Sequence, residues 1–170
     1  YLIFFLNMII LGSSISYSKE KLALKKQNWS FEGLFGRYEI SSLQRGLQIY
    51  QEVCSACHGI KRLRFRELNA IGFTDEQITE YAKTFEILDG PNEKGKMYTR
   101  PGEPGDTFIA PYKNEQEARA AFGGAYPPDL SLIIKARKKG PNYIYSLLTG
   151  YEENSPNDLD FSEGLYYNPY

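Results

Sequence analysis

Cys54-Ser55-Ala56-Cys57-His58 holds both cysteines and the only histidine of a 170-residue chain, in the order C-x-x-C-H. This is the spacing of a c-type haem attachment. Two thiols about one helical turn apart can each add to a vinyl group of the macrocycle, and the adjacent imidazole then lies under the ring, facing the iron. No other feature constrains the fold as much, because a chain so attached must wrap around a flat apolar ring tied to its own backbone. The sequence reads first as an electron carrier with one covalent haem c, bonded at Cys54 and Cys57 and ligated through His58. Structural zinc takes four ligands, and the three side chains here sit too close together to surround one ion. A redox dithiol also uses C-x-x-C, but it normally follows a strand in a βαβ pattern, and none lies upstream. A secreted thiol-disulfide oxidoreductase working through Cys54 and Cys57 stays open as the alternative, beside the plainer reading of two buried cysteines and a satisfied histidine.

Tyr1 to Leu11 is almost wholly apolar, and Gly12, Ser13, Ser14 and Ser16-Tyr17-Ser18 lead into the charged Lys19-Glu20. That is the apolar region and small-residue cleavage site of a secretory signal peptide, and it is shorter than the roughly 18 residues of a membrane span. Because the sequence opens on Tyr1 and stops at Tyr170 inside an aromatic run, it is expected to be a fragment with a partial signal peptide at 1–18 or, as the lesser option, a retained anchor. An N-terminal arm at 19–40 and a haem domain at 41–170 would follow. Export suits thioether chemistry, which needs both thiols reduced in a compartment that favours disulfides. Lys and Arg number 20 against 21 Asp and Glu, so the basic footprint of a nucleic-acid binder is missing.

The arm carries the single tryptophan, Trp29, with Phe31, Leu34 and Phe35; Gly33 and Gly36 argue for extended chain packed down by its aromatics. Ser41 and Gln44 form a capping-box pattern ahead of Leu43, Leu47, Tyr50 and Val53, which predicts a helix running into the haem motif. Thr74 with Gln77 repeats the box and predicts a second helix to about Leu88, with Ile78, Tyr81 and Phe85 on one face. Pro91, Gly95, Pro101, Gly102, Pro104 and Gly105 then mark a long irregular loop. A short helix is expected from Asn114 to about Phe122, another capped by Asp129 from Leu130 to about Lys139, and a last one over Tyr143–Thr149 after a Gly140-Pro141 stop. No stretch reads as strand-rich. The expected fold class is all-α, a class I cytochrome c-like domain with long irregular loops around one covalent haem.

Stretches beyond the motif resemble one family. Trp29-Ser30-Phe31-Glu32-Gly33, Leu43-Gln44-Arg45-Gly46, Asp89-Gly90-Pro91-Asn92, Arg100-Pro101-Gly102, Pro127-Pro128-Asp129-Leu130-Ser131, Ser146-Leu147-Leu148-Thr149-Gly150-Tyr151 and the terminal Gly164-Leu165-Tyr166-Tyr167-Asn168-Pro169-Tyr170 are similar, in order, to the cytochrome c1 family, the haem-bearing subunits of the bc1 quinol:cytochrome c oxidoreductase. The resemblance implies that Pro127 and Pro128 line the haem and that Arg137 and Tyr143 contact its propionates. An arginine fork suits a carboxylate and a phenol offers a donor on an apolar body. It implies a sixth ligand, a methionine beyond Tyr170, and a C-terminal membrane helix beyond it as well. Met97 stands in a family loop that is not the ligand segment, and Phe122 replaces a small polar residue.

The implied function is respiratory electron transport: one electron taken from the Rieske iron–sulfur protein, next to cytochrome b, and passed to a soluble or tethered cytochrome c. No substrate bond is made or broken by the chain itself. The implied location is the periplasmic side of a bacterial inner membrane or the equivalent intermembrane-space side in mitochondria. A free periplasmic c-type cytochrome is the nearest competitor. Glu152, Glu153, Asp158, Asp160 and Glu163 form an acidic stretch that reads as a solvated loop or as a steering patch for a basic partner.

Overall fold

The computed structural model describes residues 22–153 and 164–170. The expected signal peptide at 1–18 lies outside the described residues, as do Asp158, Asp160 and Glu163. Helix α1, Ile40–Glu52, runs into the haem motif as expected. Its start differs from the expected one: Glu39 precedes the first turn and its carboxylate accepts from the hydroxyls of Ser41 at 2.8 Å and Ser42 at 3.0 Å. Those two hydrogen bonds, Ser41 first, hold the Glu39 carboxyl below its usual range. An acid ahead of the first turn suits the positive end of a helix, so Ser41 is drawn inside and the box with Gln44 does not form. Gln44 reaches the Ile71 carbonyl instead, at 2.9 Å. Leu47 and Tyr50 pack on the core, whereas Val53, already outside the helix, is exposed.

After a 3-10 turn at Phe65–Ile71, closed by the left-handed Gly72, α2 spans Asp75–Lys83. Here the capping box forms in both directions: the Gln77 amide donates to Thr74 Oγ1 at 3.2 Å and the Thr74 amide to Gln77 Oε1 at 2.9 Å. The helix stops short of Leu88. Thr84 turns its hydroxyl onto the Tyr81 carbonyl, and Glu86–Asp89 becomes strand β1, antiparallel to β2, Tyr98–Pro101, with Ile87 opposite Arg100. The all-α expectation is therefore corrected to a helical domain that carries, among the described residues, one two-stranded sheet. A short run such as Ile87-Leu88 fits either period, and the tie is broken by Arg100, which joins Asp89 at 2.5 Å and Asp106 at 2.7 Å and so fixes the hairpin.

The core gathers behind α2. Phe65, Leu68, Ile78, Ala82 and Phe108 are buried together, with Tyr81 and Phe85 at their edge. Phe65 stands 4.9 Å from Phe85 and 4.8 Å from Phe108 between ring centroids, in tilted contacts of the kind aromatic rings favour.

Downstream, α3, Glu115–Ala121, is capped by Asn114 as expected, through a 2.8 Å bond from the Glu117 amide. The expected helix 130–139 shrinks to one turn, α4, Ile133–Ala136. Gly140-Pro141 opens α5, Gly140–Leu148, rather than closing the helix before it. Proline fits there because the first turn of a helix needs no amide donor, and Gly140 is required because a Cβ would lie 1.9 Å from the Ile134 carbonyl oxygen.

Both ends of the described chain fasten to α5. The Lys25 amide donates to Ser146 Oγ at 2.9 Å, and Trp29 Nε1 to Asn142 Oδ1 at 2.8 Å, with Trp29 edge-on to Tyr145. From the other side Asn168 Nδ2 reaches the Leu147 carbonyl at 2.8 Å. The arm thus packs through Trp29 and Phe31, while Leu34 and Phe35 stay 92% and 90% exposed.

Candidate functional site

Where α1 ends, the backbone tightens into a 3-10 turn at Cys54–Ala56. The amides of Cys57 and His58 both donate to the Cys54 carbonyl, at 3.1 and 2.8 Å. That winding places the two thiols one turn apart, both free and half-buried. His58 Nδ1 lies 2.8 Å from the Pro128 carbonyl oxygen. A carbonyl only accepts, so Nδ1 carries the proton and Nε2 keeps its lone pair for a metal. The Tyr50 hydroxyl donates to the His58 carbonyl at 3.0 Å. Burial first, then the nearby Asp129 charge, pushes this phenol up to about 12, so it remains a donor at neutral pH.

The segment after the histidine is laced to the segment around Pro128. The Leu130 amide donates to the Gly59 carbonyl at 2.8 Å. The Lys61 amide donates to Asp129 Oδ2 at 2.9 Å and the Arg62 amide to Ser131 Oγ at 3.1 Å. Asp129 Oδ1 accepts from the Ser131 amide at 3.0 Å. Partial burial pushes the Asp129 carboxyl up, but the bonds from Ser131 and the Lys61 amide outweigh it and hold the group below its usual range. Gly59 makes the approach possible, since a Cβ there would come within 3.1 Å of Asp129 Oδ2 and 3.2 Å of Ala110 Cβ.

Of the residues expected at the site, Cys54, Cys57, His58 and Pro128 form one constellation, and Pro127 lines a narrow cleft with Cys57 and Gly59. Arg137 and Tyr143 stand together elsewhere, the guanidinium 5.8 Å from the ring centroid, in a cleft with Leu24, Lys138, Lys139 and Tyr170. None of the first five lines that cleft. Met97 lies in the hairpin connection just ahead of β2, more than half exposed, and Phe122 stacks edge-on against Tyr112. Two residues were not foreseen in these roles. Tyr50 reads in sequence as part of the α1 stripe and Asp129 as a helix cap; their partners lie 8 and 68 positions away, and no local pattern encodes such pairings.

Comparison with known proteins agrees with the motif. The model of the Cytochrome C1 family matches residues 29–170. The chain is 44% identical to cytochrome c1 of Rhodospirillum rubrum, over 96% of this chain and 65% of that protein. It is 49% identical to "Cytochrome c1 1, heme protein, mitochondrial" of Arabidopsis thaliana and 47% identical to "Cytochrome c1, heme protein, mitochondrial" of Saccharomyces cerevisiae, in both cases over 84% of this chain and 46% of the relative. The chain thus spans about half to two thirds of the length of these curated relatives.

Proposed function

The chain belongs to the cytochrome c1 family, and on that premise we propose that it is the haem-carrying electron-transfer part of a quinol:cytochrome c oxidoreductase. The observation that carries the proposal is His58 Nδ1 held on the Pro128 carbonyl one residue beyond two free thiols on a single turn. This donor set fits a covalent haem c: Cys54 and Cys57 would form the thioethers and His58 Nε2 would be the axial ligand. Bound there, the haem supplies a one-electron iron couple.

The residues supply the rest. Pro128 fixes the tautomer and plane of the imidazole and strengthens it as a ligand. Tyr50 anchors the His58 carbonyl from the other side. Pro127 borders the Cys57 side, while Arg137 and Tyr143 offer a forked cation and a phenol to the propionates. The fold is of the class I cytochrome c type, with the hairpin of β1 and β2 as an addition. Residues 110–150 bury Ala118 alone among their apolar side chains, and an attached macrocycle gives that half an apolar surface to pack on.

The electron comes from a Rieske iron–sulfur protein beside cytochrome b and leaves to a cytochrome c. On this reading the electron transfer takes place at a membrane, on its periplasmic or intermembrane-space side. Among the described residues no helix is long and apolar enough to cross a membrane.

Haem staining after denaturing electrophoresis tests the reading, since only thioether-linked haem survives. A stained band is expected, and Cys54→Ser with Cys57→Ser should abolish it. A colourless wild-type band would return the chain to the thiol-disulfide alternative.

A further inference from the structure

Beyond the bond from His58 Nδ1 to its carbonyl, Pro128 is held against His58 by the residues that follow it. We propose that Asp129 is a positioning residue for the haem ligand, its carboxylate clamping residues 59–62 onto residues 129–131 so that the Pro128 carbonyl stays on His58 Nδ1. The inference rests on the haem reading of His58 given above.

One carboxylate spans both sides of the junction. Oδ2 takes the Lys61 amide, three residues after the histidine, and Oδ1 takes the Ser131 amide, three residues after Pro128. The Leu130 amide and the Ser131 hydroxyl close the seam on either side. Amide bonds to an ionised acceptor are the stronger kind, and this one is partly withdrawn from water. Gly59 leaves no slack, because even a methyl group would meet Asp129 Oδ2 and Ala110. Oδ1 fixes the turn that holds Asp129 and Oδ2 ties that turn to Lys61, so Pro128, the neighbour of Asp129 in sequence, is kept beside His58. The strength and direction of the bond to Nδ1 govern how basic a ligating imidazole is and how its plane lies over the ring. Asp129 therefore acts on the iron through the ligand without touching it.

The test uses the full-length holoprotein with Asp129→Ala, Asp129→Asn and, as a destabilised control that removes the α2 cap away from the seam, Thr74→Ala. All are expected to stain for covalent haem as the wild type does. Asp129→Ala should speed exchange of the Lys61 and Leu130 amides by about tenfold, shift the largest g value of the oxidised haem in electron paramagnetic resonance, and move the midpoint potential. Asp129→Asn keeps one carbonyl oxygen and should fall between Ala and wild type. Thr74→Ala should leave the g value and potential in place. Faster exchange at Lys61 and Leu130 with unchanged g value and potential would overturn the proposal, as would an equal shift from Thr74→Ala. If Asp129→Ala does not fold, the Asn variant carries the same decision. Absence of haem from the wild type would instead overturn the haem reading, and the stain separates the two failures.

Discussion

Between residues 60 and 108 the chain buries Phe65, Leu68, Ile78, Ala82 and Phe108 in one aromatic cluster; between 110 and 150, Ala118 is the one apolar side chain buried to that depth. Leu132, Ile134 and Leu148, in and around α4 and α5, stay 46%, 45% and 67% exposed. The first region gains its stability from its own side chains, as area removed from water. The second is held by directed polar contacts: the Asp129 seam, the arm on α5 and the terminal Asn168. A domain that splits this way has one half able to hold itself and another organised around what the haem motif attaches.

The sharpest way to break the comparison is to empty the first core. Phe65→Ala should cost about 3–5 kcal/mol, read by urea unfolding, and a loss below about 1 kcal/mol would show that the cluster does not carry the fold. Preventing attachment with Cys54→Ser and Cys57→Ser should act in the opposite half. Amide exchange over 133–148 should rise about tenfold or more while α2 changes little, and equal effects in both halves would dissolve the contrast. Gly140→Ala drives a methyl group into the Ile134 carbonyl and should cost on the order of 1–3 kcal/mol, seen as a lower Tm with the protection of α2 retained.

Asn142→Ala removes the acceptor of Trp29 Nε1 and should cost about 1 kcal/mol. Trp29 is the only tryptophan, so a red-shifted emission reports release of the arm directly. The smallest effect is electrostatic. Hydrogen bonds from Arg100 hold the Asp89 and Asp106 carboxyls below their usual range. Folded values lower than unfolded ones mean that the contribution is full above about pH 4 and is lost as pH falls through the folded values. Protection of the β1–β2 amides should drop on acidification below pH 4 while the aromatic core persists.

What could be read from the sequence follows the range of the interactions. Thr74 and Asn114 announced their helices because a cap and its amide sit three residues apart. Ser41 carries the same local signal, but it lies inside the helix with its hydroxyl taken by the Glu39 carboxylate. Cys54, Cys57 and His58 were legible because the C-x-x-C-H spacing is itself local. The hairpin was not, because it depends on Arg100 meeting two aspartates on different segments. Gly140-Pro141 was read as a stop because the same two residues serve a helix start, and the choice rests on how closely Ile134 approaches. Pro128 was visible only through family resemblance, and the roles of Tyr50 and Asp129 only once the chain was folded.

The fastening of the arm and of Asn168 to α5 also sets an order in time. Lys25 and Trp29 find Ser146 and Asn142, partners 121 and 113 residues further along. A ribosome adding roughly 5–20 residues per second makes the arm about 6–24 s before its partners exist, and the closure spans most of the chain. Cys54 and Cys57 are synthesised early in that interval. The motif is complete while the flank that precedes it still has nothing to hold.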